Sequence, residues 1–381
     1  MDFQAQATAI FQKYLKQWED NPSRMESGYH YEATYAEMMQ KVEQEVLQLS
    51  VGKVPKDKNV KKLKKLGCEF INLNFENDSF NFLKDLVALI KIFALIKNLK
   101  PDLFLNFNIK PVIIGSIICN FMNIKVVNTI TGLGNSFLGS LLLKKIAIFL
   151  YKIAISDNNK VIFHNYEDKR IFIKEGISKS FNSYVVMGSG VDTSYFKFSK
   201  LSKKKTIFLF VGRFLWNKGI MEFIRVSNHF RNNKNVLFYT LGECTNNIKN
   251  GITRSFLKNL KKKYNFKYFK FSKDVRPIIK KSTCVVSTSY REGASKVLLE
   301  SASMGRPLIS SNISGAKSIV FNNYNGYTFN LRNKLSLKNK INKFLKLSFK
   351  RKQKMSKNSR FLATHKFDEQ RVISKYLEII T

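Results

Sequence analysis

The chain has 381 residues, 44% of them hydrophobic, which is enough for two ordinary domains with real cores. Its 66 Lys and Arg against 27 Asp and Glu give a formal net charge of +39. That charge fits either polyanion partners (nucleic acid, an anionic membrane face, phosphorylated substrates) or a solvated lysine-rich surface. Cys68, Cys119, Cys244 and Cys284 stand apart from one another, with no CxxC pair and no nearby histidine. They read as buried free thiols in a reducing compartment. The histidines, His30, His164, His229 and His365, are scattered and offer no zinc spacing. Met1-Asp2-Phe3-Gln4 is not a secretory signal. The longest uncharged stretch, 126–143, is interrupted by Asn128, Thr129, Thr131, Gly132, Gly134 and Asn135, and reads as strand, loop and helix start rather than a membrane span.

Residues 1–58 are rich in Gln and Glu, hold a single isoleucine (Ile10) and are nearly charge-balanced. Helical spacing of Ala7, Ile10, Phe11, Tyr14 and Leu15 predicts a helix over 5–18. Tyr35, Met38, Met39, Val42, Val46 and Leu47 predict another over 31–49. Gly52, Pro55 and the charge run 53–58 end it. No strand followed by a glycine turn is predicted here. The segment is either a native helical extension or foreign sequence joined to a truncated enzyme. The abrupt change of composition favours the second, and the opening vaguely resembles that of a bacterial insertion-sequence transposase.

From Asn59 onward Ile, Phe, Asn and Lys dominate and nearly all the excess positive charge lies there. Strands are predicted over 69–73, 103–107, 125–128, 160–163 and 184–187, with helices between them over 80–99, 112–122, 141–155 and 169–175. A polar, lysine-rich linker, 192–205, separates this series from a second one. The later strands are predicted over 206–212, 236–241, 266–271, 284–287, 308–310 and 326–329. Alternation of this kind predicts two α/β domains with mostly parallel sheets, binding ligands at the carboxyl ends of their strands in a cleft.

Five local patterns carry chemistry or turn geometry. A buried strand ends at Gly212, and Arg213 and Lys218 follow before the next helix. A planar fork and a point charge at a strand terminus suit a diphosphate, although a solvated loop has the same composition. Glu292 sits beside Gly293, and Glu300 lies eight positions later in an apolar, helix-forming run. Gly293, Ala294 and Ser295 would open that helix, whose free N–H groups attract phosphate or sugar oxygens. Eight helical residues rise about 12 Å, too far for a shared acid/base dyad but suited to a long ligand. The bland alternative is one helix-starting acid and one half-buried acid. Met187-Gly188-Ser189-Gly190-Val191-Asp192 reads as a structural turn. Thr131-Gly132-Leu133-Gly134-Asn135 is a backbone cradle in the cleft or a plain tight turn. In His164-Asn165-Tyr166-Glu167-Asp168, Asn165 or Glu167 caps a helix. There is no DxD pair and no GKS or GKT phosphate loop.

In this order, GRFLWNKGI (212–220), EGASKVLLE (292–300), SMGRPLI (303–309), SGAKSIV (314–320), NNYNGYTF (322–329) and FDEQRV (367–372) resemble the retaining glycosyltransferases of family 4. The resemblance covers 60–381. The TGLG, HNYEDKRIF, GSGVD and SYREG segments look like the branch that extends lipid-linked oligosaccharides for bacterial surface glycans. It implies a GT-B fold, α/β, with two Rossmann-like domains whose parallel sheets face across a cleft. The implied organisation is a helical extension over 1–58 and an acceptor-side domain over 59–195 that lacks its first βα unit. A nucleotide-sugar domain over 196–362 and a crossing-back C-terminal helix over 363–381 follow. Arg213 and Lys218 match the residues that hold the donor diphosphate, and Glu292 the acid facing the donor sugar. Glu300 matches the acid bonding the ribose hydroxyls. Gly212, Gly293, Ala294 and Ser295 match backbone contacts to the donor, and Thr131, Gly132 and Gly134 fall on the acceptor side.

The implied reaction moves a sugar from a UDP-sugar to a polyprenyl-diphosphate-linked glycan with retention, without metal or cofactor. The implied location is cytoplasmic, on the inner face of the cell membrane, with Lys144 and Lys145 beside 141–143 favouring anionic lipid. A missing first βα unit would instead make the chain an impaired remnant or fusion. A nucleic-acid-binding protein is the rival from another class. It is disfavoured because the charges are spread along the body with no helix-turn-helix or zinc-knuckle signal.

Overall fold

The computed structural model describes residues 46–49, 82–134, 137, 141–244, 251–331, 333 and 335–380. The chain divides into two compact units, Met1–Asn128 and Thr129–Thr381. The helix expected over 5–18 and the strand expected over 69–73 lie outside the described residues.

In the first unit, β1 (Val46–Leu49) pairs in parallel with β2 (Leu103–Phe107), Val46 opposite Leu103 and Leu49 opposite Asn106. This corrects the helix expected to run through 49. A four-residue segment with three apolar residues is ambiguous between helix and strand by periodicity, and here pairing with β2 decides it. Helices α1 (Phe82–Leu99) and α2 (Ile109–Phe121) fall where helices were expected over 80–99 and 112–122, and β3 (Lys125–Ile130) starts in this unit. Ile92, Ile96, Phe104, Ile118, Cys119 and Val126 form its core. A polar ladder crosses it: Asn106 Nδ2 donates to Asn128 Oδ1 at 2.9 Å, and Ser116 Oγ to the same oxygen at 3.0 Å.

The second unit opens with α3 (Leu141–Ala154), β4 (Lys160–Phe163), α4 (Tyr166–Lys174) and β5 (Ser183–Val185), the two strands pairing in parallel. Asn165 is the N-cap of α4, its Oδ1 accepting from the Asp168 amide at 2.8 Å, one of the two capping residues the sequence offered.

A six-stranded parallel sheet follows: β6 (Thr206–Val211), β7 (Val236–Gly242), β8 (Lys267–Lys270), β9 (Cys284–Ser287), β10 (Leu308–Ser311) and β11 (Gly326–Phe329). The helices between them are α5 (Ile220–Ser227), α6 (Arg254–Lys263), α7 (Arg276–Lys281), α8 (Lys296–Ser303) and α9 (Ser314–Lys317). Spatial order is β11-β10-β9-β6-β7-β8, the doubly wound arrangement. Side chains alternate between two cores, as strand geometry requires. Phe208, Phe210, Cys284, Val286 and Ile309 enter one, while Leu209, Val285 and Leu308 enter the other with Leu298, Leu299 and Ala302 of α8. Arg306, fully buried ahead of β10, donates to the carbonyls of Lys280 and Ser282 at 3.2 and 2.8 Å, tying the α7 end to the α8 end.

Helices α10 (Ser336–Leu345), α11 (Phe349–Leu362) and α12 (Glu369–Ile380) close the chain. The approach to α12 is anchored at 191. Val191 and Asp368 form a parallel bridge, and the Glu369 amide donates to the Val191 carbonyl at 3.2 Å. Farther along, the Tyr376 hydroxyl reaches Thr129 Oγ1 at 3.2 Å.

Candidate active site

The strand order reverses between β6 and β9, which pair directly, Phe208 opposite Cys284 and Leu209 opposite Val285. Loops leaving two adjacent strands toward opposite faces of a sheet open a crevice at their carboxyl ends. The loop after β6 carries Gly212, Arg213 and Lys218; the loop after β9 carries Glu292 to Ser295.

The structure brings Lys218 and Glu292 into direct contact, Nζ to Oε1 at 2.6 Å, with the side chains 29% and 12% exposed. Ser289 Oγ donates to the same carboxylate oxygen at 2.5 Å. The two loops are stitched together on either side of this pair. The Tyr290 amide donates to the Asn217 carbonyl at 3.0 Å, and Thr288 Oγ1 donates to the Gly219 carbonyl at 2.7 Å. The Tyr290 hydroxyl reaches Glu222 Oε1 on α5 at 2.7 Å. Gly219 has φ 69°, and a Cβ there would lie 2.0 Å from the Thr288 carbonyl oxygen. Only glycine admits both the left-handed turn and that approach.

Gly293 packs against the loop after β3. A Cβ on it would lie 1.6 Å from the Thr131 carbonyl oxygen, and Gly132 packs on its backbone. Thr131 and Gly132 therefore lie against the backbone beside Glu292. Gly134, at φ 55°, has nothing within 4 Å of its Cβ position and takes no part in this contact. From α4, Asn165 Nδ2 donates to the Gly293 carbonyl at 2.9 Å. Arg291 Nη2 meets the buried Asp168 carboxylate at 3.4 Å, and burial raises the Asp168 carboxyl against the pull of Asn165 and Arg291. Ala294 lies against Gly188, where a Cβ would come within 2.5 Å of its methyl group. Ser295 is the N-cap residue of α8 and makes no side-chain cap bond.

Helix α8 starts only at Lys296, so Glu292 stands in the loop ahead of it and the spacing of about 12 Å expected for a continuous helix does not apply. Glu300 lies inside α8, 6% exposed, its carboxyl pushed up to about 7 by burial, with Lys296 pulling the other way. Among the described residues no hydrogen bond or ion pair reaches that carboxylate. Arg213 is exposed and pairs with no carboxylate among the described residues. It borders the site through Gly212 rather than through contact with Glu292. Glu369, at the start of α12, is pushed up to about 8 by burial and by Asp192 and Asp368, with Lys296 as the opposing cation.

Ser289, Asp168, Arg291, Tyr290 and Glu222 were not singled out by the sequence reading, and Asn165 only as a cap. Asp168 with Arg291 and Tyr290 with Glu222 act through partners far along the chain, which no local spacing marks, whereas Ser289 meets Glu292 only three positions on. Chemically, the site offers one cation and one acid in contact at a strand switch point, an exposed cation, Arg213, earlier in the same loop, and a buried acid farther along α8. Such a set can hold a ligand with negative charge at its centre and hydroxyl donors on either side.

Residues 191–361 match the family described as Glycosyl transferases group 1, and residues 27–165 match Glycosyl transferase 4-like. The chain is 25% identical over 268 residues to an Escherichia coli UDP-Gal:alpha-D-GlcNAc-diphosphoundecaprenol alpha-1,3-galactosyltransferase, covering 66% of this chain and 68% of that protein. It is 23% identical over 374 residues to a Campylobacter jejuni N,N'-diacetylbacillosaminyl-diphospho-undecaprenol alpha-1,3-N-acetylgalactosaminyltransferase, covering 93% and 95%. In fold it is similar to Anabaena HepE, solved in complex with UDP and glucose, at TM-score 0.70 and 16% identity, covering 93% and 96%. By these matches residues 191–361 are a Glycosyl transferases group 1 portion and residues 27–165 a Glycosyl transferase 4-like one, and the two parallel-sheet α/β portions have the GT-B fold.

Proposed function

We propose that the chain is a retaining hexosyltransferase that moves a sugar from a UDP-sugar to a glycan carried on a polyprenyl diphosphate, working at the inner face of the cell membrane. The observation that carries this reading is the Lys218–Glu292 contact at the β6/β9 switch point. In it, Lys218 and Arg213 hold the donor diphosphate, helped by N–H groups at Gly293, Ala294 and Ser295. Glu292 faces the donor sugar, and Glu300 accepts from the ribose hydroxyls. Residues 196–362 form the donor portion and 59–195 the acceptor portion, with Thr131, Gly132 and Gly134 on the acceptor side.

Charge developing on the departing UDP would be balanced by Lys218, Arg213 and backbone N–H groups rather than by a metal. A diphosphate oxygen on the sugar's leaving face takes the acceptor proton, so the new bond forms on the face from which UDP leaves. The donor and acceptor classes are supported by the relatives, one named for a UDP-sugar donor and both for diphospho-undecaprenol substrates.

The test is to incubate the purified full chain with UDP-galactose or UDP-N-acetylgalactosamine and a polyprenyl-diphosphate glycan, then read the product's anomeric configuration by NMR. An α-linked product, absent with Glu292→Gln, is expected. A β-linked product would overturn retention. No transfer and no UDP binding would overturn the enzyme reading in favour of an impaired remnant.

A further inference from the structure

Glu292 is held in place from outside its own loop. Its two neighbours along the chain are both gripped by the first turn of α4. Arg291 Nη2 lies 3.4 Å from Asp168 Oδ1, and the Gly293 carbonyl accepts from Asn165 Nδ2 at 2.9 Å. These two grips meet at one carboxylate. Asn165 Nδ2 also donates to Asp168 Oδ2 at 2.9 Å, while Asn165 Oδ1 accepts from the Asp168 amide at 2.8 Å. Asp168 is buried. One of its oxygens meets the guanidinium of the residue before Glu292. The other orients the amide that reaches the carbonyl of the residue after it.

Support of the fold does not account for this charge. Burial lifts the Asp168 carboxyl above its ordinary range by more than the Asn165 bond and the Arg291 charge lower it, and Glu167 adds to the rise. The folded chain thus binds that proton more tightly than the unfolded chain, so the charged form weighs against folding at pH above the ordinary carboxylate range. Arg291 differs from an arginine that serves the fold. Arg306, fully buried, donates to carbonyls from Nε, Nη1 and Nη2. Arg291 Nε is buried with no hydrogen-bond partner among the described residues. Buried charge kept against stability, beside an acid of the candidate site, marks a functional group.

We propose that Asp168 is a positioning residue for the reaction: through Arg291 and Asn165 it fixes the backbone on both sides of Glu292, and with it the carboxylate that faces the donor sugar. This rests on the donor-site reading given above. Releasing the loop by about 1 Å would cost about 100-fold in rate, while the phosphate contacts of Lys218 and Arg213 would stay as they are.

The test is steady-state transfer by the full chain carrying Asp168→Asn, Arg291→Gln or both. Glu167→Gln is the control, since Glu167 pairs with Lys317 at the surface of the same helical turn. Asp168→Asn should lower kcat about 10- to 100-fold, with donor KM and UDP affinity within about twofold of wild type. The double variant should be no slower than the slower single one, because the pair acts as a unit. Glu167→Gln should keep wild-type rates. The melting temperature of Asp168→Asn at pH 8 should stay within about 5 °C of wild type. Amide hydrogen exchange reads the loop without turnover: residues 291–295 should exchange at least tenfold faster in Asp168→Asn. The inference is overturned if Asp168→Asn keeps wild-type kcat, if those amides exchange as in wild type, or if Glu167→Gln loses as much. It is also overturned if the double variant loses the product of the two single losses, or if melting falls by more than about 5 °C, since the carboxylate would then support the fold. No transfer by wild type would overturn the enzyme reading instead, and exchange alone would then decide the hold on the loop.

Discussion

Replacing Glu300 by Gln should stabilise the protein and weaken its hold on UDP, in a way that depends on pH. Glu300 is 6% exposed, and burial displaces its carboxyl from 4.5 to about 7. At 1.36 kcal/mol per pH unit, that displacement corresponds to at most about 3 kcal/mol held against the folded state when the carboxylate is charged. The sign follows from proton binding. Between about 4.5 and 7 the folded chain keeps a proton that the unfolded chain has released, so stability falls as pH rises through that window. The full loss is present above 7 and none of it below 4.5. Glu300→Gln removes the charge and hence the loss, so its melting temperature should exceed that of wild type by several degrees at pH 8 and match it near pH 5.

With UDP the order reverses at pH 8. The charge-assisted bonds proposed between this carboxylate and the ribose hydroxyls would be lost, and the UDP-induced rise in melting temperature should shrink by the equivalent of about 10- to 100-fold in affinity. Thermal melts at pH 5, 6, 7 and 8, with and without UDP, read both effects. An identical stability change at every pH, or an undiminished response to UDP, would refute the reasoning.

Lys218→Ala should lower kcat/KM by about 10²- to 10³-fold, as expected for removing a cation aimed at a departing diphosphate, and steady-state kinetics with a labelled donor measure it. Gly293→Ala places a methyl group 1.6 Å from the Thr131 carbonyl oxygen and must shift the Glu292 loop. Its transfer rate should fall at least 100-fold while far-UV circular dichroism stays that of wild type. Asn165→Ala removes the α4 cap and the bond to the Gly293 carbonyl, and denaturant melts should show a loss of about 1–2 kcal/mol together with a lower kcat.

The later sheet was largely legible in the sequence because its strands are apolar runs punctuated by glycine, as at Phe208-Leu209-Phe210-Val211-Gly212. The alternation of strands and helices then fixed a parallel arrangement. The early strand was not legible. Val46-Leu47-Gln48-Leu49 continues a helical pattern, and only pairing with β2 makes it a strand. At the site, Lys218 and Glu292 could be named from local spacing. The groups that hold them could not, because Tyr290–Glu222 joins residues 68 positions apart and Asn165–Gly293 joins residues 128 apart. Such partners are set by the topology that brings loop ends together, and a linear reading has no access to it.

The most direct measurement is calorimetric titration of UDP and of uridine into wild type and Arg213→Ala/Lys218→Ala, with a chelator present. The account predicts that wild type binds UDP and not uridine, and that the double variant binds UDP at least 100-fold more weakly. Equal affinity for UDP and uridine, or UDP binding unchanged by the loss of both cations, would contradict it.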